Sequence, residues 1–425
     1  MTIAKQEFSR ITSGLLVTRF VGSIKAALRQ TLHTLGLGIR RYRPPYPTGC
    51  ASLSTSATNP RGNVLVAYIL EPFLRSPSEP ISTAHTHFGE SLLIAEAFLE
   101  IGYNVDVIDY RNGDFRPRKQ YDLFVSARTN LEHIGRRLNP DCIKIAHLDT
   151  SHYLFNNQAA YARALALQRR RGVTCESIRV IESNLAIEHA DYGALLGDAA
   201  TVETYAYANK PLFCLPAPCV TTYAFPDDKN YDTCRRRFLW FGSGGLVHKG
   251  LDLVLEAFAE LPQHELVVCG PIESELTFSA IYKRELYDLP NVRTVGWVDV
   301  TQQQFIDIAN TCVALIYPTC AEGLSTSSLT CMHAGIIPIL SREAGIELGD
   351  CGILLRESTI EEIRERVIAL SELGAPELER MTRCAWDYAR ARHTKERYGI
   401  EYKRMINQIL EDSERRQRST SLSIL

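Results

Sequence analysis

Two stretches in the second half of this 425-residue chain have residue types and spacing suited to an anion. The first is Gly242-Ser243-Gly244-Gly245, followed by Lys249-Gly250. Glycines let backbone come close to a phosphate, and a nearby lysine neutralises it. The second runs from Tyr317 through Glu322-Gly323-Leu324 to Ser325-Thr326-Ser327, ahead of an apolar run ending in Ile339. Hydroxyl residues there mark a helix start, whose free N–H groups and positive dipole end favour an anion. Glu322 would repel phosphate, so its better use is to accept hydrogen bonds from sugar hydroxyls beside a diphosphate. Each stretch also has a plainer reading, as a tight strand-to-helix turn and as an ordinary N-cap.

The first half offers histidines. His85-Thr86-His87-Phe88-Gly89 opens a helix, and His147 and His152 lie in Ile145-Ala146-His147-Leu148-Asp149-Thr150-Ser151-His152. By residue type His85, His87, His147 and His152 could hold zinc, but no cysteine or carboxylate falls at ligand spacing near them. The Asp-x-Asp signature of metal-diphosphate sites is absent.

The elements that must position these residues read as alternating strands and helices. Val64 to Leu70 suits a buried parallel strand. A helix follows with Ile94, Phe98 and Ile101 on its apolar face and Gly102 at its end, then strands at Asn104 to Tyr110 and Asp122 to Ser126. Prolines and charges between Cys214 and Arg237 suggest a hinge with little core-forming capacity. Beyond it, strands are expected at 238–241, 265–269, 313–317, 336–340 and 353–355, with Ser358 and Glu361 as a capping box for a helix carrying Ile363, Val367 and Leu370. From about Pro376 to Leu410 the chain reads as charged helix. The expected fold class is α/β, with a basic amphipathic arm and linker at 1–60 (the linker running from Gly49 to Gly62), domains at 61–220 and 237–385, a hinge at 221–236 and a C-terminal segment at 386–425.

Together the second-half motifs resemble the retaining glycosyltransferases of the GT-B fold, family 4. The resemblance implies two Rossmann-like domains facing across a cleft and a C-terminal helix crossing back to the first. It implies a sugar nucleotide, UDP- or GDP-linked, as substrate, with no metal or other cofactor. Gly242, Ser243, Gly244, Gly245 and Lys249 would meet the donor diphosphate, and Glu322 would hold the donor sugar at the reacting centre, with Gly323, Leu324, Ser325, Thr326, Ser327 and Thr330 completing the donor site. Asn291 to Val298 is similar to the strand before the nucleotide-binding wall. By the same resemblance His147 first, and His152 second, would stand near the reacting sugar, while His85, His87 and Gly89 face the acceptor. Two departures are visible. Ser243 stands where the family usually has an arginine, and Thr330 where it has a second glutamate that grips the ribose. A catalytically inactive sugar-nucleotide binder or scaffold is therefore the alternative.

Composition fits a folded, soluble protein. Lys+Arg at 47 nearly cancel Asp+Glu at 49, which argues against a dedicated nucleic-acid partner. Residues 1–43 nevertheless concentrate Lys5, Arg10, Arg19, Lys25, Arg29, Arg40, Arg41 and Arg43 against the single acid Glu7, interleaved with Phe20, Ile24, Leu28, Leu32 and Leu35. That pattern fits either a helix on an anionic membrane surface or a helix docked on the body. The expectation is a cytoplasmic enzyme with a glycan or lipid-linked acceptor in cell-envelope synthesis, the arm being a candidate for peripheral attachment at the inner face of the membrane. The 12 cysteines are scattered without a CxxC pair and are expected to be reduced and structural.

Overall fold

The computed structural model describes residues 46–76, 79, 86–128 and 130–422, with side chains up to residue 415. The basic arm and His85 lie outside the described residues. Two sheets organise the rest. The first has seven strands in the order β1-β3-β2-β4-β5-β6-β7, with β1 (Cys50–Leu53), β2 (Gly62–Tyr68), β3 (Tyr103–Asp109), β4 (Leu123–Ala127), β5 (Ile143–Leu148), β6 (Tyr192–Leu196) and β7 (Leu212–Leu215). Only β1 runs antiparallel, pairing Cys50 with Ile108 and Leu53 with Val105. The second sheet is parallel throughout, in the order β10-β9-β8-β11-β12-β13, from β8 (Arg237–Phe241), β9 (Glu265–Cys269), β10 (Val292–Gly296), β11 (Ala314–Tyr317), β12 (Ile337–Ser341) and β13 (Ile353–Leu355).

Strand alternation explains how each sheet buries both faces. In β2, Val64, Val66 and Tyr68 enter one core cluster and Leu65 and Ala67 the opposite one. In β8, Phe238 and Trp240 face one cluster and Leu239 the other. This is why the strands read as continuous apolar runs.

Helix α1 (His87–Ile101) covers the first sheet with Ile94 and Phe98, both fully buried. Helix α2 (Tyr153–Arg171) starts in the first domain, but its far end reaches the second. There Leu167 joins the second-domain core, Arg170 contacts Asp252 at 2.6 Å and Arg171 contacts Glu285 at 2.9 Å. Helices α3 (Leu251–Ala259), α4 (Thr326–His333), α5 (Ile360–Ser371) and α6 (Ala375–Arg392) belong to the second domain. Helix α7 (Lys395–Leu422) then returns to the first. Its Tyr398, Tyr402, Met405, Ile406 and Ile409 recur at helical spacing and are buried in the cluster that holds Phe98. Each such side chain contributes about 1.5–3 kcal/mol over leaving it in water. Lys403 and Glu100 pair across the same contact at 2.5 Å.

Four expectations change. Cys50–Leu53, taken as linker, is an edge strand, too short and polar to stand out from the residues around it. Residues 221–236, read as a coreless hinge, are docked on the second domain. Tyr231 and Cys234 enter its core, Tyr223 donates to the Val300 carbonyl at 2.7 Å, and Lys229 caps the Ala309 and Gly335 carbonyls. The capping box is one residue later than expected. Thr359 accepts from the Glu362 N–H, and the Glu362 carboxylate takes the N–H groups of Arg356, Glu357 and Ser358. Finally, Cys351 and Cys384 form a disulfide, because α6 packs its Cys384 against the turn before β13. The other ten cysteines are free.

Candidate active site

In an open parallel sheet, loops leave the carboxyl ends in opposite directions where strand order reverses, opening a crevice there. In the second sheet that point lies between β8 and β11, and the two anion-suited stretches are the loops leaving those strands. They meet. Lys249 Nζ lies 2.7 Å from Glu322 Oε1 and donates to the Tyr317 hydroxyl at 2.7 Å, which donates to the same carboxylate oxygen at 3.1 Å. Trp240 Nε1 donates to the Lys249 carbonyl at 3.2 Å and fixes the loop from below. His248 ties it to the β11 loop, with Nε2 on the Ala321 carbonyl and its own carbonyl accepting from the Cys320 N–H at 2.9 Å.

Burial would raise the Glu322 carboxyl, but the charges of Lys249 and Arg179 outweigh it and hold it down at about 2. Burial lowers Lys249, with Glu322 opposing that shift, and pushes His248 down to about 4, so the imidazole is neutral near pH 7. Beyond Glu322, Ser325 caps α4 by accepting from the Ser328 N–H at 3.3 Å, while its own N–H goes to the Ala344 carbonyl. The N–H groups of Thr326 and Ser327 open the helix and have no carbonyl within it to meet.

Gly323 is one of the points where the two domains touch. A Cβ there would come within 2.7 Å of the Leu196 carbonyl oxygen and 2.9 Å of that of Asp149, both at the carboxyl ends of first-sheet strands. Thr201 Oγ1 donates to the Gly323 carbonyl at 2.8 Å. A side chain at this position would therefore force the domains apart.

The first domain faces this loop with its own charged set. Arg128, at the carboxyl end of β4, has φ of 62°, a left-handed conformation costing a bulky residue about 1–3 kcal/mol. It sits at the reversal of the first sheet, between β2 and β4, and its guanidinium meets Asp149 at 2.8 Å. Burial disfavours the Asp149 charge, yet Arg128 and the neighbouring histidines outweigh it and hold the carboxyl well below the usual carboxylate range. His87 lies 3.8 Å from the same carboxylate. Glu90 accepts from the Tyr68 hydroxyl at 2.8 Å through Oε2, while its Oε1 is buried without a hydrogen-bond partner among the described residues.

Between these walls is a cavity of about 1020 Å³, roomy enough for a sugar nucleotide and part of an acceptor. Residues 235–372 match the model of the family described as Glycosyl transferases group 1. The whole two-domain arrangement is shared with sucrose-phosphate synthase from Thermosynechococcus elongatus, at 13% identity and TM-score 0.57, covering 83% of this chain and 99% of that one. It is shared equally with Anabaena Alr3699/HepE in complex with UDP and glucose, at 13% identity and TM-score 0.51 over 83% and 99% of the two chains. The fold is that of the GT-B glycosyltransferases. The chain also matches Staphylococcus aureus TarM at 11% identity and TM-score 0.48, covering 67% of its own length and spanning 55% of that protein. No curated protein matches it.

On this GT-B frame the donor candidates separate. Gly242, Ser243, Lys249, Glu322, Leu324, Ser325, Thr326, Ser327 and Thr330 line the cavity. Gly244, Gly245 and Gly323 do not. The Gly245 N–H is taken by the Glu275 carboxylate at 2.5 Å and the Leu246 N–H by the same group at 3.2 Å, so this part of the turn is closed to a phosphate. Thr330 donates back to the Thr326 carbonyl at 2.8 Å, which leaves only oxygen lone pairs toward the cavity.

The histidine assignments change more. His147 is buried and does not reach the cavity. Its ring lies against that of Tyr68, centroids 4.9 Å apart and tilted by 55°, and its Nε2 is 3.9 Å from Glu90 Oε2. Strand β5 is flanked by β4 and β6, and Glu90 arrives beside His147 from α1. His152 precedes α2 among Tyr153, Tyr205 and Tyr207, with Nε2 3.1 Å from the Tyr207 hydroxyl, also away from the cavity. Of the expected acceptor-side residues, His87 lines the cavity and Gly89, two residues on, does not. No cluster of His, Cys, Asp or Glu able to hold a metal occurs among the described residues. Likewise, no described helix is long and apolar enough to cross a membrane.

Sequence reasoning passed over Arg128, Asp149, Glu90, Arg179 and the Tyr317 hydroxyl, all of which line the cavity. Asp149 and Tyr317 lay inside the quoted motifs and immediately follow or end strands, a signal that was available. Glu90 and Arg179 carry no local signal.

Proposed function

We propose that the protein transfers a sugar from a nucleoside diphosphate donor, UDP- or GDP-linked, to a hydroxyl of a glycan or lipid-linked acceptor. The observation that carries this reading is the buried Lys249–Glu322 pair at the strand-order reversal, facing the start of α4 across the cavity. That the UDP-and-glucose complex of Anabaena Alr3699/HepE shares the fold is in keeping with it.

In this reading the bond from the anomeric carbon to the terminal phosphate oxygen breaks, and a bond to the acceptor oxygen forms. The acceptor proton passes to an oxygen of the departing diphosphate, and the nucleoside diphosphate leaves. Lys249 and the N–H groups of Thr326 and Ser327 stabilise the charge growing on the departing diphosphate, a fixed electrostatic device. Glu322 accepts hydrogen bonds from the donor sugar, and Glu90 and Asp149 are placed to do the same for the acceptor. Phe241, Val298 and Val300 offer apolar surface for the base. A hexose as the transferred sugar, retention of configuration and independence of metal complete the proposal on the strength of the family resemblance, and the basic arm of residues 1–43 supports a place in envelope glycan synthesis.

A second reading is favoured by Thr330 and Ser243. If these weaken nucleotide gripping, the protein binds sugar nucleotides without turnover. A panel of UDP- and GDP-sugars, tested for thermal stabilisation and for diphosphate release with and without acceptors, separates the two. Acceptor-dependent release supports transfer. Stabilisation without release under any acceptor supports the binder, and neither effect from any sugar nucleotide would overturn both.

A further inference from the structure

We propose that Arg179 is the second cation of the donor-diphosphate site, supplied by the connection between α2 and β6 in place of the charge that Ser243 lacks. The inference rests on reading the cavity as a sugar-nucleotide site. Its own support is geometric. Arg179 NH1 lies 3.5 Å from Glu322 Oε1, the oxygen that Lys249 Nζ meets at 2.7 Å, so two cations from separate parts of the chain converge on one point of the cavity wall. They differ in freedom. The Lys249 side chain is 6% exposed and that of Arg179 is 37% exposed, so Arg179 can swing from Glu322 onto an incoming anion while Lys249 stays in place.

The chain around Arg179 is held for this purpose. Asn157 of α2 clamps Ile181 on both sides, its amide accepting from the Ile181 N–H at 2.9 Å and donating to the Ile181 carbonyl at 2.9 Å. Cys175 is buried in the second-domain core. Between these anchors the arginine stem lies over the Gly242 turn. Gly245, at φ of +87°, leaves the room, since a Cβ there would come within 2.7 Å of Arg179 Cδ.

The same turn explains why a side-chain cation is needed. Glu275 occupies the N–H groups of Gly245 and Leu246, so those amides cannot meet a phosphate and the turn contributes less than a Gly-rich loop otherwise would. A guanidinium presents paired donors that match phosphate oxygens, a geometry a single ammonium cannot reproduce.

The test is calorimetric binding of UDP, GDP and the matching nucleosides to the full chain and to Arg179→Gln, Arg179→Lys and Arg179→Gln/Ser243→Arg. The wild type should bind one diphosphate, Arg179→Gln should bind it at least tenfold more weakly, and Arg179→Lys should fall between them. The parent nucleoside should bind all four proteins alike. Placing arginine at 243 should recover most of the lost affinity, and the donor KM should rise with the loss. Should Arg179→Gln fail to fold, the weaker diphosphate binding of Arg179→Lys at an unchanged unfolding midpoint carries the test. Diphosphate binding unchanged in the Arg179 variants, with the wild type binding normally, overturns the inference alone. Failure of the wild type to bind either diphosphate overturns the reading of the cavity and the inference with it.

Discussion

Lys249 and Glu322 form an ion pair 2.7 Å long, with side chains 6% and 12% exposed, from loops 73 residues apart that leave neighbouring strands of one sheet. Replacing either with alanine should cut transfer at least tenfold, since a charged contact typically contributes about 1.5–3 kcal/mol. Steady-state release of nucleoside diphosphate measures this. Unchanged turnover in both variants would remove the pair from the site.

The same pair gives stability a pH dependence of definite sign. Glu322 titrates at about 2 in the fold against an ordinary 4.5, so it binds its proton less readily folded than unfolded. Its contribution is complete above about pH 4.5, disappears as pH falls towards 2, and is on the order of 3 kcal/mol at neutral pH. The difference in unfolding free energy between wild type and Glu322→Gln should shrink over that window. A difference that stays constant between pH 7 and 3 would contradict the pairing.

Glu90, on the cavity wall with one buried oxygen lacking a hydrogen-bond partner among the described residues, should matter more to turnover than His147 beside it. Glu90→Gln is expected to lower kcat at least tenfold at saturating substrates. His147→Ala should change kcat by no more than about threefold, and should lower the unfolding midpoint by opening a void beside Tyr68. The reverse ranking in kcat would return the histidine to the reacting centre.

The Cys351–Cys384 bond spans 33 residues of sequence. Closing such a loop contributes about 2–4 kcal/mol, mainly by restricting the unfolded chain. Thiol titration of the unreduced, denatured protein should count ten free cysteines, and reduction should lower the unfolding midpoint. Twelve reactive thiols without reductant would rule the bond out.

For the basic arm the expected outcome is electrostatic. Deleting residues 1–43 should leave donor binding unchanged and abolish pelleting with anionic vesicles, since each basic residue near such a surface adds about 1 kcal/mol. Pelleting of the full chain should fall as salt rises, because the field is screened within roughly 8–10 Å. Equal and negligible pelleting of both proteins at low salt would end the membrane reading, and a lower unfolding midpoint on truncation would favour an arm packed on the body.

Eight of the strands, β2, β3, β4, β8, β9, β11, β12 and β13, were legible in the chain itself as apolar runs, whereas β1, β5, β6 and β7 were not. Glu265–Cys269 and Ile353–Leu355 coincide with the structure residue for residue. Lys249, Glu322 and the hydroxyl cluster before α4 were legible too, since each sits in a loop directly after a strand, where chain direction alone brings it to the crevice. Tertiary structure decided the rest. His147 and Asp149 are two residues apart in sequence, yet one is buried beside Glu90 and does not reach the cavity while the other lines it, and only the arrival of Glu90 from α1 beside His147 marks the difference. Glu275 closing the Gly245 turn, Cys384 reaching Cys351, and Arg179 meeting Glu322 across 143 residues leave no trace in local pattern. Such contacts arise where independently formed elements meet, and neither spacing nor periodicity along one segment carries information about the side chain arriving from another.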